Sequence, residues 1–90
     1  MHEMGIACSI LDAVGKEMTR YPGRRAAKVD VRIGRFAGVD GESLRFCFDS
    51  MVKGTEWERL ELGIVAGAGD ELDLSSLEID DCEEKQEAAA

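Results

Sequence analysis

The feature that most constrains this fold is the alternating segment KVDVRIGRF. Its odd-numbered positions from Val29 to Ile33 are apolar, whereas its even-numbered positions from Lys28 to Arg32 are charged. Successive side chains of a β-strand point to opposite faces, so this pattern predicts a strand that is buried on one face only. Helices can therefore pack against its apolar face, and the charged face must contact water.

Two other segments have the apolar spacing of amphipathic helices. The first runs roughly from His2 to Tyr21 and ends in YPGRR, because a proline disfavours helical geometry in the residue before it. The second is predicted to begin after a capping Asp40 and to stop at Gly54. The apolar residues at helical spacing are Met4, Ala7, Leu11, Val14, Met18 and Tyr21 in the first helix, and Leu44, Cys47, Phe48 and Met51 in the second.

Two shorter alternating runs, RLELGIV and DELDLSSLEID, follow the second helix and are separated by AGAG. We predict that residues 67–69 form a hairpin loop, because this register places the apolar residues of both runs on one side. The alternation changes phase at Ser75 and Ser76, which indicates a bulge or bend there. The predicted cross-strand pairs are Ile64 with Leu72 and Leu62 with Leu74.

These elements predict an α+β two-layer fold, with two helices on one face of a three-stranded mixed sheet and the order α-β-α-β-β. The first two strands should be parallel, because a right-handed crossover through the second helix joins them, and the hairpin makes the third antiparallel. The pattern leaves the central strand undetermined. We expect residues 1–80 to form one small domain and the acidic residues 81–90 to form a disordered tail.

Composition argues against several classes of function. The chain has 19 acidic and 11 basic residues and a net charge of -8, so nucleic acid is not an expected partner. No apolar run approaches the roughly 18 residues that cross a bilayer, and acids stand where a signal peptide has basic residues, so we expect a cytoplasmic protein without membrane contact. A single histidine, and the lack of a phosphate-binding glycine loop, argue against an enzyme.

Three segments together resemble the HypA/HybF family, the nickel-insertion accessory proteins of nickel–iron hydrogenase maturation. They are MHEMGIACSILDAV, VRIGRFAGVDGESLRFCFDSMVKGT and GDELDLSSLEID. The resemblance implies a nickel-binding domain with this element order and with His2 as a nickel ligand. It also implies a metallochaperone that helps to insert Ni(II) into the hydrogenase large subunit. The implied partners are that subunit and a HypB-like maturation GTPase.

The chain departs from that family between its second and third predicted strands. Family members carry a zinc-binding insert there with two CxxC pairs, which supply the four thiolates of a structural zinc site. Here AGAG stands instead, near residues 66–69, and the cysteines Cys8, Cys47 and Cys82 are too far apart to form such pairs. We hypothesise an engineered deletion of the insert, and we expect no zinc in this chain.

The first three residues can bind a metal by their own chemistry. The Met1 amine, the His2 backbone nitrogen and the His2 Nδ1 atom can chelate one ion, and the Glu3 backbone nitrogen can complete a plane. Four nitrogens in a plane suit Ni(II) or Cu(II). Chain ends tolerate most residues, and an acid in a first helical turn is favoured by the helix dipole, so structural explanations of His2 and Glu3 also stand. Asp40 is first a helix cap and second a residue that could support the metal ligands.

A second class of function is compatible with the same sequence. The chain could act as an interaction module that docks on the maturation GTPase or on the hydrogenase, with metal binding secondary. The amphipathic first helix, with its charged outer side, could serve such docking.

We predict a monomer in solution. A short linker between strands can favour exchange of the last strand between two chains, so a strand-swapped dimer is the alternative. Light scattering should give a mass near 9.8 kDa. A main species of twice that mass would contradict the prediction.

Overall fold

The computed structural model describes residues 2–81; Met1 and residues 82–90 lie outside them. The order α-β-α-β-β and the α+β class are as predicted. No helix in residues 2–81 is long and apolar enough to cross a membrane. The elements are α1 Glu3–Met18, β1 Arg24–Gly34, α2 Gly41–Val52, β2 Glu61–Gly67 and β3 Leu72–Asp81.

The ends of several elements differ from the sequence-based boundaries. α1 stops at Met18, before Tyr21, where the Thr19 hydroxyl donates to the Lys16 carbonyl (2.7 Å) and closes the last turn. β1 begins at Arg24, before the alternation that the sequence shows from Lys28 onward, and a register shift between Ala26 and Lys28 separates its first residues from that alternation. β3 extends to Asp81, so the first residue of the predicted tail belongs to the sheet, and the rest of that tail lies outside the described residues.

β1 is the central strand of the sheet, whose order is β2-β1-β3. β2 is parallel to β1, as the crossover predicts, and β3 is antiparallel to β1. The predicted hairpin is therefore wrong, since β2 and β3 lie on opposite sides of β1 and do not pair. The apolar faces were nevertheless assigned correctly, because Val31 has Ile64 as its neighbour on one side and Leu74 on the other.

The linker between β2 and β3 crosses the end of β1 instead of forming a hairpin loop. The Arg35 N–H donates to the Gly67 carbonyl (3.1 Å), and the Phe36 N–H donates to the Gly69 carbonyl (2.8 Å). A side chain at Gly34 would overlap the backbone of Gly69. The residues that directly follow β1 thus hydrogen bond to the chain between β2 and β3, and glycine at position 34 permits this close approach.

The bulge predicted at Ser75 and Ser76 is confirmed. Asp30 pairs with Ser76 and Val31 pairs with Leu74, which leaves Ser75 as the extra residue of β3. The Ser75 hydroxyl donates to the Asp30 carbonyl (3.2 Å), and the Ser76 hydroxyl donates to the Asp30 carboxylate (2.8 Å). The bulge restores the phase of the alternation, so that residues before and after it share the helix-facing side.

The core lies between the two helices and the apolar face of the sheet. Its central side chains are contributed by α1, α2 and β1, and they are fully buried. The opposite face of β1 carries the charged side chains from Lys28 to Arg32, in agreement with the prediction of a wet face. The largest fully buried side chains are Phe48, Leu44, Val14, Val29 and Val31.

Two phenylalanines of α2 provide a matched test of this packing. Phe48 is fully buried, whereas Phe46 is 72% exposed on the same helix. Phe48→Ala should lower the free energy of unfolding by about 3–5 kcal/mol, because it leaves a cavity. Phe46→Ala should change it by less than about 0.5 kcal/mol. Urea denaturation measures both, and equal effects would contradict this packing.

Candidate metal centre

His2 lies at the start of α1, where its imidazole could bind a metal ion. It is the N-cap residue of α1, with an extended backbone (φ -91, ψ 94), and its carbonyl accepts the first helical hydrogen bond from the Ile6 N–H (3.1 Å). Its side chain is exposed and makes no capping hydrogen bond. The ring nitrogens are therefore not committed to holding the helix end.

The Glu3 backbone nitrogen lies outside the hydrogen-bond ladder of α1, because Glu3 is the first residue of the helix, and its N–H interacts instead with the carboxylate of Glu3 itself. The first N–H groups of a helix have no carbonyl partner within the helix. A metal that displaces the Glu3 amide proton would therefore break no hydrogen bond of the α1 ladder. This position allows a main-chain ligand without unwinding the helix.

The Glu3 side chain has a different task, since it joins the starts of the two helices. The Asp40 N–H donates to the Glu3 carboxylate (3.0 Å). This bond, together with the N–H of Glu3 itself, lowers the pKa of the Glu3 carboxyl group below its ordinary value of 4.5. The side chain thus fixes the first turn of α1 against the loop that precedes α2.

Asp40 has the capping role predicted for it. Its carboxylate accepts from the N–H groups of Glu42 (3.0 Å) and Ser43 (3.4 Å) and from the Ser43 hydroxyl (3.2 Å). Its loop also folds back to the N-terminus, as a supporting role would require, but the contact there is made by its backbone N–H with Glu3. Asp40 therefore positions Glu3 while its own carboxylate is occupied by α2.

Side chains alone do not form a metal site in residues 2–81. No group of three His, Cys, Asp or Glu side chains in this range is arranged to hold an ion. Of the predicted ligands, His2 and Glu3 are adjacent at the start of α1, and Met1 lies outside the described residues. The predicted site at this end of the chain therefore depends on main-chain nitrogens as well as on the His2 side chain.

An open groove lies beside His2 between α1 and β3, with a volume of about 340 Å³. The sequence analysis did not identify this groove, because the predicted hairpin placed β3 next to β2. Its apolar residues were visible in the alternation of β3 and in the helical spacing of α1, but their juxtaposition depends on the strand order. The groove is lined chiefly by Ile6, Ile10, Ala13, Val31, Leu72 and Leu74.

The contribution of the contact between Glu3 and Asp40 to folding stability should depend on pH. A carboxyl group whose pKa is lowered by folding contributes stability that is fully present above its unfolded pKa, near 4.5, and is lost as the pH falls through the lower folded pKa. Glu3→Gln should therefore be less stable than the parent chain at pH 7, and the difference should disappear in acid. Urea denaturation at several pH values measures this. A difference that does not change with pH would contradict the ionic part of the contact.

Sequence comparisons show which known proteins this chain is similar to. The family model for HypA, described as hydrogenase/urease nickel incorporation metallochaperone, matches residues 1–70. HypA hydrogenase maturation factors of Chlorobium limicola and Chlorobaculum tepidum are 48% and 44% identical over 64 residues, which are 71% of this chain and 55% and 57% of those proteins. The HypA of Xanthobacter autotrophicus is 38% identical over 69 residues, covering 77% of this chain and 61% of its own length. This chain thus spans little more than half the length of the relatives it matches. The match covers both helices, β1 and β2, and it shows that the chain belongs to the HypA family.

Proposed function

We propose that this chain is a nickel metallochaperone that binds Ni(II) at its N-terminus and helps to insert it into the large subunit of nickel–iron hydrogenase. The observation that carries the proposal is the exposed imidazole of His2, which makes no capping hydrogen bond and stands directly before a helix-terminal amide outside the hydrogen-bond ladder of α1. The family description, nickel incorporation by a metallochaperone, agrees with a carrier rather than an enzyme.

The proposed ligands are the Met1 amine, the His2 backbone nitrogen and Nδ1 atom, and the Glu3 backbone nitrogen. Backbone amides bind a metal only as anions, and Ni(II) and Cu(II) can displace their protons whereas Zn(II) rarely does. Cu(II) binds such donors more tightly than Ni(II) by the Irving–Williams order. Selectivity for nickel must therefore come from metal supply and from the proteins that deliver and receive the ion.

Electrostatics favour this kind of donor set at this place. The N-termini of α1 and α2 meet here, since Glu3 begins α1 and Asp40 caps α2. The positive ends of two helix dipoles repel a bare cation. Two deprotonated amides cancel the charge of a divalent ion, so the helix dipoles repel an amide-bound ion less than a cation with neutral ligands.

The missing zinc-binding insert remains part of the proposal. The family match ends at residue 70, directly after the linker at 66–69. This position supports a deletion at the linker. We therefore propose that this chain binds nickel without a structural zinc.

The groove beside His2 favours a second candidate function, a docking module for a HypB-like GTPase or for the hydrogenase, with metal binding secondary. Its β3 side holds exposed leucines, Leu72 (38%) and Leu74 (40%). His2→Ala separates the two functions. If the chain carries nickel through His2, this variant should lose nickel binding. If docking is independent of the metal, the same variant should still bind its partner.

Nickel binding should require a free, unextended N-terminus. Ni(II) titrated into the native chain should give the visible absorbance of a square-planar complex, whereas an N-acetylated chain and a chain with an N-terminal tag should not. The same tag at the C-terminus is the matched control and should leave binding unchanged. Binding should also weaken as the pH falls, because protons compete with the metal for its nitrogen ligands.

Equal affinity and an identical spectrum for the N-terminally tagged chain would exclude Met1 and the Glu3 amide as ligands. His2 would then have to bind the metal with donors from another part of the fold or from a second molecule.

A further inference from the structure

We propose that the outer edge of β3 and the groove beside it bind an extended segment of a partner protein, in which apolar side chains alternate with basic ones. The segment would add to the sheet as a fourth strand next to β3. This inference concerns a protein-binding site and does not depend on nickel binding.

The two edges of the sheet differ. On β2, the Arg45 guanidinium of α2 donates to the Leu62 carbonyl (2.6 Å), so α2 already hydrogen bonds to this strand. β3 pairs with β1 on one side and, in residues 2–81, has no strand neighbour on the other. A strand edge of this kind presents N–H and C=O groups that can hydrogen bond to another extended chain.

The groove next to this edge has room for side chains. It holds about 340 Å³ between α1 and β3, and its walls are Ile6, Ile10 and Ala13 on one side and Leu72 and Leu74 on the other. α1 lies mainly over β1 and α2, and for this reason the two leucines stay more than a third exposed. A strand added to β3 would direct every second side chain toward this groove, and those side chains should be apolar.

The charges of the sheet determine which side chains the added strand should carry on the face opposite the groove. On the wet face, charges alternate in sign from strand to strand, since Lys28 of β1 lies between Glu61 of β2 and Glu78 of β3. Asp73 and Asp80 of β3 likewise pair with Arg32 and Arg25 of β1. β3 itself has no basic residue. A neighbouring strand with lysine or arginine on this face continues the alternation, and opposite charges on adjacent strands stabilise their pairing.

The same charges disfavour the two occupants that the chain itself could supply. A second copy paired through β3 would place Asp73, Glu78 and Asp80 against the acids of its partner. Residues 82–90 contain three glutamates and one lysine, so their net charge is negative, like that of β3. A basic, partly apolar strand from another protein fits the edge better than either.

The full chain can be tested with labelled synthetic peptides of 10 residues, the length of β3. The first alternates valine and lysine, and the second alternates valine and glutamate. The third is the valine–lysine peptide with N-methyl groups on the amides that would face β3. Fluorescence anisotropy should show binding of the first peptide at least about tenfold tighter than of the other two. Amide NMR shifts should change along β3 and on the groove side of α1.

Two chain variants locate the site. Leu74→Asn removes an apolar wall of the groove, and Val65→Asn is its matched control, because both side chains are 40% exposed but Val65 lies on β2. Leu74→Asn should weaken binding of the valine–lysine peptide by about tenfold, and Val65→Asn by less than about twofold. Thermal unfolding of both variants verifies that they are folded.

The proposal is overturned if the valine–lysine and valine–glutamate peptides bind equally or if neither binds. It is also overturned if N-methylation has no effect, or if the two variants behave alike. A dimer whose interface maps to β3 would assign the edge to a second copy and would equally reject the proposal. None of these outcomes bears on nickel binding, which the N-terminal variants test separately.

Discussion

The rest of this structure depends on the pairing of β1 with both other strands. Val29 and Val31 are buried, and each has a β2 residue on one side and a β3 residue on the other. Because β2 and β3 do not touch, neither would have a strand partner without β1. The helices depend on it as well, since its apolar side chains form the floor of the core on which α1 and α2 pack.

The position of the candidate nickel site follows from this arrangement. α1 and α2 lie side by side on one face with their N-termini at the same end, and the contact of Glu3 with the Asp40 backbone joins them. The start of α1 is thereby held at a point where two helix dipoles converge. A site made of main-chain nitrogens suits such a place, because its ligands bring the negative charge that the ion requires. The fold thus contributes more to the chemistry of the first residues than their sequence alone suggests.

The path of the linker between β2 and β3 determines which strand is at the edge of the sheet. It crosses the end of β1, where Gly67 and Gly69 accept hydrogen bonds from Arg35 and Phe36, and it carries the chain to the far side of the sheet. This crossing leaves β3 as an edge strand with its leucines beside α1. The groove that begins at His2 therefore exists because the chain crosses β1, and it would be absent from a hairpin topology.

Much of this protein was determined by its sequence alone. Alternation identified the apolar faces of all three strands, helical spacing identified both helices, and the phase change at Ser75 identified the bulge, because each of these signals is local. The N-terminal donor set stays a prediction from the sequence, which rests on the ability of neighbouring residues to chelate one ion. Only the tertiary structure decided which strand is central. Two strand orders bury the same apolar faces, one in which β3 pairs with β2 and one in which β3 pairs with β1. Alternation does not distinguish them. The hydrogen bonds between the linker and the end of β1 favour the second strand order. In that order His2, Leu72 and Leu74 lie around one groove.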